Sequence, residues 1–366
     1  MNYRSAFILS LIITAVIVSC WRVSEEDAAI VAARAQLVET WGEGVIVPWY
    51  QSLVTKAQAL EDASRALCAS ENGDLEAAQA AWMDARSQWK KSEVIAFGPY
   101  KEEPLRLGPK IDSWPLKERT AENRLNDSEP IDQELVDRLG ANQVGLPVIE
   151  YLLFADRAEP EAPFAADSRR CAYLVATSTR FRNDAKTLLD AWVVDGYLDE
   201  FSGKNPAGVY FTSAKQAFSE VINRIGFTLE NMRYEKLSKA VGVRTGNPLP
   251  DFVESRFSGR SLKDLIDNLD GLELLLWGND ETGVEGVKQF LAFIGQSALE
   301  PTLRQAFDET RRALLEVPEP LSEAVLNAPE KVFAAMDELK ATQRLAQVDL
   351  APLLWVTVGF NDSDGD

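Results

Sequence analysis

The chain has 366 residues, a length that suits two domains of ordinary size better than a single core. Its 57 acidic and 38 basic side chains give a formal charge of −19, and so negative a surface argues against nucleic-acid partners. The absence of histidine excludes Ser-His and Cys-His nucleophile pairs, histidine-ligated zinc hydrolase sites and histidine-ligated haem. Any metal site must use oxygen or thiolate ligands, and an oxygen-rich site would favour a hard cation such as Fe³⁺ or Ca²⁺.

The first twenty residues have the pattern of a bacterial lipoprotein signal. Arg4 precedes an apolar run over 6–18, which is short for a membrane span and fits a secretory signal. The run ends at Ile17-Val18-Ser19-Cys20, which resembles a lipobox. We expect a signal peptide over 1–19, lipid on Cys20 and a periplasmic body. Outer-membrane anchoring is favoured because residue 21 is Trp21 and not the aspartate that commonly retains lipoproteins at the inner membrane. A plain signal peptide or a single-pass anchor is the alternative.

Helical periodicity runs through almost the whole mature chain. A capping-box pattern at Ser24 opens the first predicted helix, and an alanine-rich stretch without Gly or Pro predicts a second over 74–97. The proline-punctuated stretch over 98–130 is too long for a simple connection, so we expect an ordered excursion that shapes a site. Further helices are predicted at 132–140, 147–156, 167–195 and 213–240. The segment 242–259 is irregular, and a second capping box at Ser261 opens the next helix. The remaining predicted helices cover 283–296, 299–316 and 329–349.

The near absence of alternating β segments predicts an all-α fold built from helical bundles. The segment 149–154 resembles the segment 272–277, and each follows a glycine by a few residues. This echo predicts two bundles of about 170 residues related by an internal duplication. The N-terminal bundle would cover 20–200 and the C-terminal bundle 201–366.

Two further features have two readings each. Cys68 and Cys171 either form a disulfide, which a periplasmic location would permit, or remain two buried thiols. The alternating acids over 361–366 resemble the start of a calcium loop, but the bidentate glutamate that closes such a loop is missing. A solvated acidic tail is therefore the favoured interpretation.

One helical stripe places ionic groups among aromatic residues. Trp82, Arg86, Trp89, Glu93 and Phe97 follow one another at spacings that put them on one face of a helix. Burial of the rings would carry Arg86 and Glu93 towards the interior, where ionic groups are costly unless paired. The stripe is either an ordinary core face with Glu93 at its wet end or the wall of an internal polar site.

Two other segments combine polar groups with a helix start. Glu150 is a lone acid in an apolar run that begins at Gly145, with Pro147 suited to the first helical turn. Glu150 therefore needs a partner, which is either a basic side chain in a structural ion pair or a bound ligand. The loop over 254–261 suits an anion or a carboxylate, unless its two arginines tie it to its own protein. Its candidate binding residues are Ser255, Arg256, Ser258 and Arg260.

Taken together, these segments resemble the imelysin-like family of bacterial envelope proteins. The matching pieces run in the family's order and are Trp82-x3-Arg86-x2-Trp89-x3-Glu93 with Phe97-Gly98-Pro99, Ile111-Asp112-Ser113-Trp114-Pro115, Gly145-x4-Glu150-Tyr151-Leu152-Leu153-Phe154, Ser255-Arg256-Phe257-Ser258-Gly259 and Gly359-Phe360-Asn361-Asp362. The resemblance implies two duplicated helical bundles packed around a site at their interface. It also implies a part in bacterial iron uptake.

The resemblance includes one departure that affects chemistry. The family has been labelled a metallopeptidase family because of a GxHxxE motif, whose glycine falls on Gly145 and whose glutamate falls on Glu150. The motif histidine falls on Pro147. The missing imidazole argues against a metallopeptidase mechanism and weakens a metal site of the family type.

A carboxylate site is the remaining interpretation. We predict Glu93 and Glu150 as ligands of an iron or other hard metal ion, with Asp112 and the 255–260 loop nearby. In the alternative arrangement, the two arginines of that loop neutralise both glutamates and leave a polar cleft for an organic ligand or a protein.

The leading functional hypothesis is a non-catalytic lipoprotein of the cell envelope. It would bind a metal ion, a metal chelate or a partner in iron acquisition, with envelope iron-uptake proteins as the expected protein partners. An imelysin-type metallopeptidase and a structural or assembly factor of the outer membrane are the alternatives.

Overall fold

The computed structural model of the chain describes residues 28–157, 162–205 and 207–359. In these ranges the protein is helical and contains no β-strand, only an isolated bridge between Asn279 and Val284, so the predicted all-α fold is confirmed. Within the same ranges, no helix has the length and apolar character needed to cross a membrane. The predicted signal over 1–19, the lipidation residue Cys20, the Ser24 capping box and the acidic tail lie outside the described residues.

The first half of the chain is organised around the helix α2. The contiguous helix α1 (28–41) passes through a π-helical stretch, Gly42–Ile46, into α2 (Val47–Ala69), which packs against the helices over 75–92 and 168–193. The other helices of this half are α3 (Leu75–Ser92), α4 (Leu107–Ile111), α5 (Glu118–Asn126), α6 (Gln133–Arg138), α7 (Leu146–Phe154), α8 (Ser168–Val193) and α9 (Tyr197–Phe201). Of the two alternatives for the thiols, the structure has the disulfide, Cys68–Cys171, which joins α2 to α8.

The second half contributes the helix that completes the site. Its helices are α10 (Ala214–Asn231) with a π-helical continuation (Met232–Ser238), α11 (Ser261–Trp277), α12 (Val287–Phe293), α13 (Glu300–Leu315), α14 (Leu321–Asn327), α15 (Pro329–Arg344) with a π-helical continuation (Leu345–Leu350), and α16 (Ala351–Leu353). Helix α15 packs against α10 and α13, and α11 packs against α13 and α3. The α3–α11 contact brings the two halves together at the site. The internal duplication and the boundary at residue 200 remain predictions.

The helix α3 begins where the sequence predicts but ends earlier. The Asp74 carboxylate accepts the backbone N–H of Ala77 at 2.9 Å and caps the first turn. The helix ends at Ser92, whose hydroxyl donates to the Trp89 carbonyl at 2.9 Å. The predicted continuation to residue 97 is wrong, because the chain turns there and enters Gly98 at a φ of +58°.

The capping box predicted at Ser261 is also wrong. The residue before the helix is Arg260, and no side chain caps the first turn of α11. The Ser261 hydroxyl donates to the carbonyl of Glu254, and the Asp264 carboxylate accepts hydrogen bonds from other side chains. Tertiary partners have therefore replaced the local bonds that the sequence pattern predicts.

Candidate functional site

The predicted stripe on α3 forms one wall of the site. Trp82, Arg86 and Trp89 are fully buried, as their spacing predicts. The indole N–H of Trp82 donates to the carbonyl of Leu146 at 3.0 Å and ties α3 to the start of α7. The stripe therefore places the Arg86 guanidinium in the interior, where it requires charged partners.

Arg86 joins three segments through three carboxylates. Its Nη1 lies 2.6 Å from Asp112 in the 98–130 excursion, its Nη2 lies 3.0 Å from Glu254, and its Nε lies 2.9 Å from Asp264 on α11. Burial would lower the pKa of Arg86, but the charges of these acids raise it well above its usual value. The excursion is thus ordered at Asp112 and contributes a side chain to the site.

Lys90 lies one turn further along α3. Its Nζ is 2.6 Å from Asp112, 2.6 Å from Glu254 and 3.0 Å from Glu93. Burial and the nearby Arg86 would lower the pKa of Lys90, but the acids outweigh them and raise that pKa well above its usual value. A permanently charged ammonium group therefore stands between three carboxylates.

Glu93 is held by a second lysine. Lys236, in the π-helical stretch after α10, places its Nζ 2.8 Å from Glu93, 3.3 Å from Glu254 and 2.8 Å from Oδ1 of the Asn268 side chain. The Asn268 amide donates back to Glu93 at 2.9 Å. Burial would raise the pKa of Glu93, but Lys236 and Lys90 lower it to about 2.

Arg260 closes the network on α11. It pairs with Asp264 and lies 2.6 Å from Asp267, while the Ser255 hydroxyl donates to Asp264 at 2.6 Å. We call the whole network the charge cluster. Its members are the cations Arg86, Lys90, Lys236 and Arg260 and the acids Glu93, Asp112, Glu254, Asp264 and Asp267.

Glu150 lies beside the charge cluster and has different partners. Its Oε1 accepts both the backbone N–H and the hydroxyl of Ser258, each at 2.8 Å. Burial raises its pKa to about 7, because hydrogen bonds from Ser258 and the charge of Arg86 offset only part of the desolvation. Glu150 and Pro147 line a cavity of about 10 Å³, enough for about one water molecule.

Gly145 and Pro147 position the start of α7. Gly145 has a φ of +82°, and a Cβ there would lie 2.4 Å from the Ile111 carbonyl oxygen. A glycine is therefore required for the close approach of α7 to the excursion that carries Asp112. Pro147 is buried in the first turn, where its lack of an N–H costs no hydrogen bond.

The charge cluster meets solvent at Glu93. The Glu93 side chain is 17% exposed, whereas that of Lys90 is fully buried and that of Asp112 is 1% exposed. Glu93 opens onto a cavity of about 110 Å³. The other residues that line this cavity, here called the Glu93 cavity, are Ala96, Tyr100, Arg224, Phe227, Thr228 and Asn231.

The sequence profile of the imelysin family, Peptidase_M75, matches residues 46–348. The chain belongs to the imelysin family. It is 28% identical over 355 residues to iron-regulated protein A of Synechococcus elongatus, a match that covers 91% of this chain and 94% of the relative. The family resemblance seen in the sequence is thereby confirmed.

Two solved structures have the same fold. An imelysin-like protein from Psychrobacter arcticum superposes with a TM-score of 0.71 at 17% identity, covering 90% of this chain and 98% of the other. A protein from Parabacteroides distasonis, assigned as an iron-regulated protein A precursor, gives a TM-score of 0.75 at 21% identity. That match covers 88% of this chain and 94% of the other.

The carboxylates that the fold groups together differ from the predicted metal pair. Oxygens of Glu93, Asp112 and Glu254 lie within 4.8 Å of one another, a group that does not include Glu150. An all-oxygen set would suit a hard cation, but Lys90 Nζ contacts all three acids. As arranged in this imelysin-family chain, these three residues do not fit a metal ion.

The alternative prediction, in which Arg256 and Arg260 neutralise the two glutamates, is wrong. Arg256 points to the surface, where it lies 2.6 Å from Glu118 and 4.2 Å above the Phe257 ring. Arg260 forms ion pairs with Asp264 and Asp267 of α11. Lysines hold Glu93 instead, and the hydrogen bonds that Glu150 accepts from the described part of the chain come from Ser258.

Sequence reasoning omitted several cluster members from the candidate site. Lys90 follows Arg86 by four residues and precedes Glu93 by three, so helical spacing alone could have placed it on the same face. Asp264, Asp267 and Asn268 share a face of α11, but only the packing against α3 reveals their partners. The sequence pattern gives no signal for Lys236, since its π-helical setting has no distinctive spacing.

Proposed function

We propose that this chain is a non-catalytic protein of the cell envelope that serves iron acquisition by binding an iron-containing ligand in the Glu93 cavity. The observation that carries the proposal is the partial exposure of Glu93, a member of the charge cluster, at the wall of a cavity of about 110 Å³. Iron is the metal of choice because a relative that matches over nearly the whole chain is named an iron-regulated protein.

We assign a ferric carboxylate chelate to the Glu93 cavity because its lining combines oxygen donors with a guanidinium group. Glu93, Thr228 and Asn231 offer oxygen donors for a hard cation or its bound waters. Arg224, which Glu220 holds at 2.7 Å, offers a guanidinium to the carboxylates of the chelator. A bare ion would instead have to displace Lys90 from the acids behind Glu93.

The envelope location rests on two features. The lipobox at 17–20 supports export with a lipid on Cys20, and Trp21 supports transfer to the outer membrane. The disulfide Cys68–Cys171 supports an oxidising compartment such as the periplasm. Envelope iron-uptake proteins would be the partners that deliver or receive the ligand.

The residues favour binding over peptide hydrolysis. The position of the motif histidine is Pro147, and the chain has no other imidazole to serve as ligand or base. Glu150 accepts the Ser258 hydroxyl in a cavity with room for about one water, so a peptide bond could not reach it without rearrangement. No observation favours an assembly role.

Calorimetric titration of the mature protein in detergent with ferric citrate tests the proposal. We expect one site per chain, weakened by about tenfold or more in Asn231→Leu and in Glu93→Gln, because both remove oxygen donors from the cavity. Thr55→Val, an exposed change on α2, is the matched control and should bind like the wild type. Absence of binding, or binding that both cavity variants leave intact, would overturn the proposal.

Two other outcomes are equally informative. Tight binding of uncomplexed Fe³⁺ with no preference for the chelate would refute the chelate. Capture of an envelope protein by a chain that binds no iron species would replace ligand binding with protein docking.

A further inference from the structure

Lys90 stands at the centre of a group of oxygens that has the geometry of a cation site. The three oxygens of Glu93, Asp112 and Glu254 lie within 4.8 Å of one another. Oxygen ligands of one hard cation, bound at about 2.0–2.6 Å, lie about 3–5 Å apart. Lys90 Nζ contacts one oxygen of each acid at 2.6 to 3.0 Å.

We infer that Lys90 is the resident cation of a metal-type carboxylate site, so that the ammonium group holds the place of a metal ion and its removal creates a metal-binding site. We call the three acids the carboxylate triad. The inference rests on the geometry of the triad and is independent of the ligand proposed for the Glu93 cavity.

The hydrogen-bonding capacities of the two partners match. An ammonium group has three N–H donors, and the triad presents three acceptor oxygens to it. The acids come from three segments, α3 for Glu93, the excursion for Asp112 and the 242–259 loop for Glu254. Lys90 therefore ties these segments together, as a structural metal ion would.

One oxygen of the triad has spare capacity. The Oε2 atom of Glu254 is buried and receives no hydrogen bond, and Lys236 Nζ lies 3.3 Å from it. The Glu254 side chain is only 3% exposed. A buried carboxylate oxygen without a hydrogen bond could complete the coordination of an incoming cation.

The wild-type triad should reject a metal ion. A divalent cation would have to share the three acids with a permanently charged ammonium group at contact distance. The Lys90 side chain is fully buried in a close-packed interior, so its displacement by a metal ion would require its neighbours to repack. Removal of the charge is thus the change that exposes the acids to a metal.

Metal titration of Lys90→Gln tests the inference. Glutamine keeps a polar group near the acids but leaves them short of one positive charge. We expect the full chain in detergent to bind one Tb³⁺ and one Mn²⁺ per chain at the same site, about 100-fold or more tighter than the wild type. Trp89, whose indole N–H lies 2.9 Å from Asp112, should sensitise Tb³⁺ luminescence.

The matched control is Lys236→Gln, which removes the other buried ammonium group. Lys236 contacts Glu93 and Glu254 but not Asp112, so this variant keeps Lys90 among the triad and should gain no tight metal binding. Adding Asp112→Asn to Lys90→Gln should abolish the gain.

The stability of the variant is part of the test. Lys90→Gln leaves buried acids uncompensated and should melt at a lower temperature in chelator, and Mn²⁺ should restore the lost stability. If the variant is unfolded in chelator, refolding on addition of metal supports the inference, and failure to refold overturns it. A folded variant that binds no tighter than the wild type, or a wild type that binds metal through Asp112, also overturns it.

Discussion

Replacement of Glu150 by Gln should stabilise the protein at alkaline pH and not at acidic pH. Glutamine can accept both hydrogen bonds from Ser258 but cannot ionise. Burial raises the pKa of Glu150 from 4.5 to about 7, so the folded state favours the protonated acid. Below pH 4.5 the wild-type side chain is neutral in both states. The stability that protonated Glu150 contributes to the folded state is lost as the pH rises from 4.5 towards 7.

The magnitude follows from the size of the pKa change. About 2.5 pH units at about 1.4 kcal/mol each correspond to about 3 kcal/mol of lost stability above pH 7. The wild type carries this cost and Glu150→Gln does not. The free energy of unfolding of the variant, relative to the wild type, should therefore rise by up to about 3 kcal/mol between about pH 4 and pH 8.5.

Urea unfolding of both proteins at these two pH values measures the difference directly. Glu134→Gln, an exposed change on α6, is the control and should alter stability by less than about 0.5 kcal/mol at either pH. A difference between Glu150→Gln and wild type that does not change with pH would refute the reasoning. A variant that loses relative stability at alkaline pH would show that the ionised form of Glu150 has a stabilising partner.

Two further predictions concern the framework of the site. The double change Cys68→Ala/Cys171→Ala should lower the free energy of unfolding by about 4–5 kcal/mol in urea, because the disulfide closes a loop of 103 residues; an unchanged midpoint would contradict this. Gly145→Ala should cost more than about 2 kcal/mol, whereas Gly196→Ala, also at positive φ but with open space around it, should cost about 1 kcal/mol; equal losses would contradict the close approach.

The interior stripe of the site was predictable because it depends on helical spacing within one segment. Trp82, Arg86 and Trp89 recur at intervals that fix a face whatever the helix packs against, and the buried rings carry the guanidinium inward. Lys90 obeys the same spacing. A lysine ordinarily lies on a solvated face, however, so the spacing alone does not indicate that Lys90 is buried.

The partners of that stripe could not be read from the sequence. Asp264 lies 178 positions from Arg86, and its role depends on α11 packing across α3. The same limit explains why the capping box predicted at Ser261 is wrong. The local sequence pattern is present, but the Ser261 hydroxyl donates to the carbonyl of Glu254 and does not cap the helix. It also explains why the predicted metal pair differs from the observed carboxylate group. Glu150 was predicted from its place in the family motif, whereas the packing of the helices brings Glu254 next to Glu93.

Anomalous diffraction at the iron edge, from crystals of the protein grown with ferric citrate, tests the account most directly. The account predicts one iron in the Glu93 cavity, beside Tyr100 and Asn231, with Lys90 still in contact with the carboxylate triad. Iron bound among Glu93, Asp112 and Glu254 with Lys90 displaced, or crystals with no iron in the Glu93 cavity, would contradict it.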